Sequence, residues 1–286
     1  MPRPGRPSYF AAQAAPLLGA GIGLLALACR PPPEAPTGLS DLSRYLLREW
    51  GAEDPRVLEA GIENLASELA ALDLEGERAD RSFAPEDLDE ADIADMAHPE
   101  EPPEDCVPVG VAGMSQWEIG LHGRLQTEVD QTVAEPSASA YARRFVEPED
   151  PDCFPDASCA VLITANDVTR SNPLYTVTME LFKDFRWIDV TSGGAPSGRR
   201  AMLARAWIAQ SWDGEQGASR IVQSYTMDSW IEASDGRTWR WQVLWSESEI
   251  PGVEDEDIVA GTIRLHIDDL FEETDEAIGN LYGEEG

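Results

Sequence analysis

The sequence predicts an α+β fold: an N-terminal helical hairpin, then a curved antiparallel sheet of about six strands closed by a long C-terminal helix. Three observations carry that expectation. Apolar residues recur at helical spacing between residues 39 and 74, alternate with a period of two over most of the stretch after Cys106, and return to helical spacing from about Asp257 to Tyr282. The predicted organisation is a leader over residues 1–28, a proline-rich tether over 29–38, the hairpin over 39–74, an acidic linker over 75–105, and the sheet with its helix over 106–286.

In the leader, Arg3 and Arg6 precede an almost uncharged apolar run, Phe10 to Ala28, that ends in "LLALAC" and turns at once into "CRPPPEAP". A basic start, a short apolar middle and small residues at its end mark a signal peptide. Leu25, Ala26, Leu27, Ala28 and Cys29 resemble the lipobox of bacterial lipoproteins. The resemblance implies removal of residues 1–28, lipidation of Cys29, and attachment to the cell envelope through acyl chains. By that family's sorting habit, Arg30 after the cysteine favours the outer over the inner membrane. An ordinary secretory signal or an uncleaved anchor is the alternative. The run "GAGIG", Gly19 to Gly23, lies inside this leader with no strand before it, so it is no nucleotide-binding loop.

The formal charge of -33 becomes -35 once Arg3 and Arg6 leave with the leader. Nucleic acid and anionic lipid surfaces would be repelled, so no nucleic-acid partner is expected, and acyl chains rather than a basic face would hold the protein at a membrane. Lys183 is the only lysine among 21 basic residues, which reads as a compositional bias. At 42% hydrophobic residues the chain can build a sizeable core. With Cys29 assigned to lipid, Cys106, Cys153 and Cys159 remain, and an odd number cannot pair internally. Cys153 and Cys159 bracket the short loop "FPDAS" and are the expected disulfide; pairing of Cys106 with either one is the alternative.

In chain order, "LSDLSRYLLREWG" has Ser40 as N-cap, Leu42, Leu46 and Trp50 at helical spacing, and Gly51 as stop. The next segment restarts with Asp54 capping and Pro55 in the first helical position; Leu58, Ile62, Leu65, Leu69 and Leu72 form its stripe. Residues 75–105 are rich in acids and prolines and read as a mostly solvated linker. Strands are expected at residues 115–129, 160–170, 175–190, 200–212, 220–233 and 238–248, with a short helix at 137–145. In the last helix, Ile263, Ile267, Leu270, Phe271, Thr274, Ile278 and Leu281 make the buried face.

That element order, strand, helical insertion, run of antiparallel strands and long closing helix, is similar to the START-like helix-grip family over roughly residues 110–286. The resemblance implies a sheet wrapped around the last helix with an apolar cavity between them for a lipid or other hydrophobic ligand.

The segment "TWRWQVLW" puts Trp239, Trp241, Val243 and Trp245 on one side of a strand. "SDGR" is the strongest hairpin turn in the chain, and a two-residue turn at Asp235 and Gly236 would pair Trp239 with Glu232, Trp241 with Trp230, Val243 with Asp228 and Trp245 with Thr226. One face would then hold Trp230, Trp239, Trp241, Trp245 and Asp228 beneath the last helix, with Arg205 as the carboxylate's partner. Such a wall is either core or the lining of an apolar pocket. Indoles dipping into a lipid interface are a third possibility, opposed by the surrounding acids.

Signatures of catalysis are absent: no G-x-S-x-G, H-E-x-x-H or C-x-x-C occurs, and His98, His122 and His266 lie far apart. Glu254 to Asp257 lacks the spacing of a calcium loop and is explained by the dipole of the helix it precedes. Neither a metal nor a cofactor is expected. The expected function is a non-enzymatic, lipid-anchored envelope protein that binds a lipid or other hydrophobic small molecule at the indole wall. An envelope module docking a partner protein through the helical hairpin is the alternative. A carboxylate-based hydrolase using Asp228 and Glu232 comes third.

Overall fold

The computed structural model describes residues 33–171, 176–214, 219–253 and 255–283, so Cys29 and the leader lie outside the described residues. Two helices open the body, α1 (Leu39–Arg48) and α2 (Arg56–Ala70). Helix α1 begins one residue before Ser40, behind Gly38, whose φ of 86° makes the cap, and Ser40 contributes only its carbonyl to Ser43. Before α2 the Asp54 carboxylate accepts the Arg56 N–H at 3.1 Å. Leu42, Leu46, Leu58, Ile62, Leu65 and Leu69 of the apolar stripes are fully buried, while Leu72 lies past the end of α2 and is partly buried.

Nine antiparallel strands make one open sheet, three more than expected: β1 (Ser82–Phe83), β2 (Val107–Ser115), β3 (Ala138–Glu147), β4 (Val161–Ser171), β5 (Thr176–Ser192), β6 (Ala195–Trp207), β7 (Trp212–Asp213), β8 (Arg220–Glu232) and β9 (Thr238–Glu249). Their order is β1-β2-β9-β8-β6-β5-β4-β3, with β7 pairing β8. The expected strand at 115–129 is instead the end of β2 followed by a short helix, α3 (Ile119–Leu125). The expected helix at 137–145 is the edge strand β3, because pairing with β4 outweighs the helix propensity of its alanines. The last helix, α4 (Glu256–Tyr282), starts where Asp255 caps the Asp257 N–H at 3.0 Å.

The segment 75–105 is not a free linker. Leu88, Ile93 and Met96 are buried in the same core as the helical stripes, and Asp92 accepts from Arg44 Nε at 2.9 Å and Arg48 Nε at 2.8 Å. Apart from Asp92, most of its acids face solvent while these few apolar residues dock, so a composition typical of disorder conceals a covering strap. Residues 33–286 form one compact unit. Among the described residues no helix is long and apolar enough to cross a membrane.

Candidate functional site

The β8–β9 turn fixes which side chains share a face. Gly236 N–H donates to the Ala233 carbonyl at 3.2 Å, Ala233 N–H donates to the Arg237 carbonyl at 2.9 Å, and Gly236 has a φ of 84°. This is a three-residue loop with glycine in the left-handed position, not a two-residue turn. Trp239 therefore opposes Ile231, Trp241 opposes Ser229, Val243 opposes Met227 and Trp245 opposes Tyr225. A slip of one residue moves a whole set of side chains to the other face. Trp230 and Asp228 accordingly lie on the face opposite Trp239, Trp241 and Trp245.

The face with three indoles is core beneath the N-terminal segments, not beneath α4. Trp241 and Trp245 are 1% and 0% exposed. Trp245 Nε1 donates to the Glu86 carbonyl at 2.9 Å, and Phe83 stacks on Trp241 with ring centroids 6.3 Å apart. Gly110 makes that stack possible: a Cβ there would collide with the Phe83 ring. Trp239 is half-buried under the Arg199 guanidinium, 5.7 Å from its ring. Arg205 belongs to this face too. It opposes Met227, and its guanidinium pairs with Asp184 at 3.1 Å and Asp95 at 2.8 Å rather than with Asp228. The hairpin's apolar stripes are consumed here, which leaves none of them for a partner protein.

The other face turns towards α4 and is unexpectedly polar. Asp228, 9% exposed, makes no hydrogen bond or ion pair among the described residues, and burial pushes its carboxyl up to about 7 against the opposing pull of Lys183 and Arg240. Arg240 is buried and lowered to about 10 by desolvation; it donates to the Phe271 carbonyl at 2.9 Å and to Thr274, with Asp275 at 3.6 Å. Arg143, 3% exposed, donates to Asn166 Oδ1 at 2.9 Å and to the Gln126 carbonyl at 2.6 Å, with no carboxylate in ion-pair contact. Its Nη2 lies beside the Tyr141 hydroxyl without the alignment of a hydrogen bond, so both atoms are left unsatisfied. The Lys183 ammonium sits 5.6 Å from the Tyr141 ring centroid.

Solvent reaches this face. Thr226, Gln242 and Leu244 stand at the middle of the two central strands, and Leu270 shares the sheet-facing stripe of α4 with Ile267 and Thr274, yet all four are only half-buried. Ile267 beside them is fully covered. The helix thus covers the β2 side of the sheet and leaves the middle of β8 and β9, with Lys183 beside them, only partly covered. A separate depression of about 390 Å³ at the far end of α4 is lined by Trp117, Asp275 and Glu276 among others, with no basic side chain in its lining.

Catalytic arrangements fare poorly. Ser115 Oγ lies 2.9 Å from His122 Nε2 and donates to Asp275 at 2.7 Å, so serine stands between histidine and aspartate, the reverse of a nucleophilic relay. Ser115 and His122 are buried, and desolvation lowers the histidine pKa well below its ordinary value. Glu232, the other carboxylate considered for hydrolysis, is occupied by the Arg200 N–H at 3.2 Å. Among the described residues no three His, Cys, Asp or Glu cluster to hold a metal. Cys153 and Cys159 form a disulfide with Cα atoms 5.3 Å apart, and Cys106 is a buried free thiol whose pKa burial raises.

Sequence reasoning missed Arg143, Tyr141 and Lys183. The usable signal was a lone lysine at an inward strand position in a chain that otherwise uses arginine.

No family model matches the sequence, and no curated protein matches it. Among solved structures, the chain is similar to the STAR-related lipid transfer protein from Xanthomonas axonopodis, with 8% identity over 60% of this chain and 85% of that one and a TM-score of 0.40. It is also similar to the lipid transfer and protein localization domain of human StarD13, with 10% identity over 62% and 77% and a TM-score of 0.36. A conserved protein from Geobacillus kaustophilus gives 11% identity over 60% and 95% and a TM-score of 0.34.

Proposed function

We propose that this is a lipid-anchored, non-enzymatic protein of the cell envelope whose body binds a small amphiphilic molecule in the cleft between the sheet and α4. The observation that carries the binding reading is that Thr226, Gln242 and Leu244, at the middle of the two central strands, and Leu270 above them on α4 are only partly buried, whereas Ile267 beside them is fully covered. A ligand site combines apolar walls with a few convergent polar groups. Here Leu244, Leu270 and the neighbouring Phe271 supply the walls, and Asp228 and Lys183 the polar groups. Trp230, with its indole N–H buried and unpartnered, is the one member of the sequence-predicted indole wall on the ligand side. The anchoring part of the proposal rests on the leader and its lipobox-like Cys29.

Native mass spectrometry of the full chain ejected from membranes tests both parts. An N-terminus at acylated Cys29 and a retained one-to-one adduct, extractable into organic solvent, are the expected results. An unmodified cysteine removes the anchor. A bare body that takes up nothing from an envelope lipid extract removes the ligand.

A further inference from the structure

The amphiphile reading leaves the chemistry of the head group open, and the charges on the cleft face decide it. Four carboxylates, Glu135, Asp228, Asp268 and Asp275, bear on this side of the sheet, with five cations, Arg81, Arg143, Arg170, Lys183 and Arg240. Glu135 is ion-paired with Arg170 at 2.8 Å, Asp275 is 3.6 Å from Arg240, and Asp268 is 2.8 Å from Arg81. After those pairings Arg143 and Lys183 remain without a carboxylate in ion-pair contact: Glu135, already held by Arg170, acts on both from a distance, and Asp228 acts on Lys183. A guanidinium held at 3% exposure without a counter-ion is costly, and leaving one of its N–H groups unsatisfied adds to the cost. Tyr141 stands between the two cations, its ring facing Lys183 and its buried hydroxyl unpaired. A cationic head group would meet Lys183 and Arg143 with Asp228 as the one carboxylate of this group outside an ion pair, so the electrostatics oppose it.

We propose that the cleft holds the anionic head group, carboxylate or phosphate, of its amphiphile between Lys183 and the unsatisfied Nη2 of Arg143, with the Tyr141 hydroxyl as a further donor. Lys183, half-buried at the cleft, meets the anion first; Arg143 and Tyr141 receive it behind. The oxygens of the ligand supply the acceptors that the protein withholds from these donors, and the alkyl chain lies along Leu244 and Leu270. This inference rests on the amphiphile reading and narrows it.

Calorimetric titration of residues 33–286, the compact unit, with twelve-carbon probes below their micelle concentrations separates the two. Dodecanoate and dodecyl phosphate are expected to bind one per chain and about tenfold or more tighter than dodecanol, with dodecyltrimethylammonium weakest. Lys183→Met, which keeps the length of the side chain without its charge, should bring both anions down towards dodecanol and leave dodecanol unchanged. Arg143→Met should do the same where it folds, and Lys183→Met carries the test where it does not. Equal binding of all four probes, unaffected by Lys183→Met, overturns the anionic head while keeping the amphiphile. Inorganic phosphate binding as tightly as dodecyl phosphate keeps the anion site and overturns the amphiphile. Binding of none of them overturns both.

Discussion

The two faces of this one sheet differ in how they treat charge. On the face under α1, α2 and the 75–105 strap, Arg205 is held between Asp184 and Asp95 and lies over both Trp50 and Trp207 at about 5 Å. The strap's Asp92 is likewise shared by two arginines. On the face under α4, Asp228, Lys183 and Arg143 have no such partners. Both faces leave some indole N–H groups unpaired, Trp241 on one and Trp230 on the other, so neutral donors do not distinguish them. Formal charges differ in degree: Arg186 on the sealed face also lacks a carboxylate in ion-pair contact, but it is only half-buried, donates to the Trp50 carbonyl at 2.9 Å and lies over the Trp50 ring. Arg143 on the other face is 3% exposed, and a more deeply buried ion without a counter-ion is the costlier of the two.

The largest effect expected from this contrast is on the sealed face. Trp241→Ala should cost about 3 to 5 kcal/mol of unfolding free energy, read from urea denaturation, because it removes a fully covered indole and the platform for Phe83. A variant as stable as the parent would break the assignment of that face to core.

Asp228→Asn sharpens the contrast from the cleft side. Its carboxyl titrates near 7 in the folded protein against an ordinary 3.8, so the folded state holds a proton that the unfolded chain has released. Folding stability from this group is fully present below about pH 4 and is lost as pH rises towards 7. The asparagine variant has no such loss. It should gain on the parent between pH 4 and 7 and level off at about 4 kcal/mol above that. Parallel pH profiles for the two proteins would mean that Asp228 is solvated or paired.

A smaller loss is expected for Asp92→Ala, about 2 kcal/mol. The arginines it abandons are partly exposed and recover water, which discounts the usual penalty for breaking a buried pair. Limited proteolysis should then cut within residues 83–105 before any other described segment. Uniform protection would show that Leu88, Ile93 and Met96 alone hold the strap.

Much of this architecture is readable from periodicity: the helical hairpin, four of the strands and the final helix lie where apolar spacing places them, and β6 is offset by five residues from the strand expected at 200–212. The site was not, and one turn explains most of the miss. Asp235 and Gly236 mark the turn, but a two-residue type I′ loop needs a positive φ at both, and of the two only Gly236 has one. That single residue of register decides whether Trp230 and Asp228 join the other indoles or oppose them. The strap was hidden for another reason: three buried apolar residues among many acids leave a weak periodic signal. Edge strand β3 read as a helix because its alanines and arginines suit either state, and only its neighbour β4 chooses.

The strap and the helical hairpin have a consequence for how the chain comes to fold. Trp245 meets Glu86 across 159 residues, and Glu63 of α2 holds the β5–β6 turn at Gly193 across 130. Topologies dominated by such distant contacts fold slowly, since loop entropy is spent before the contacts repay it. The first segments made are covered by the last ones, so no N-terminal part can complete a core during synthesis. Export in an unfolded state, which the proposed lipid anchoring would require, would benefit from that delay, because the chain stays threadable until its final strands arrive.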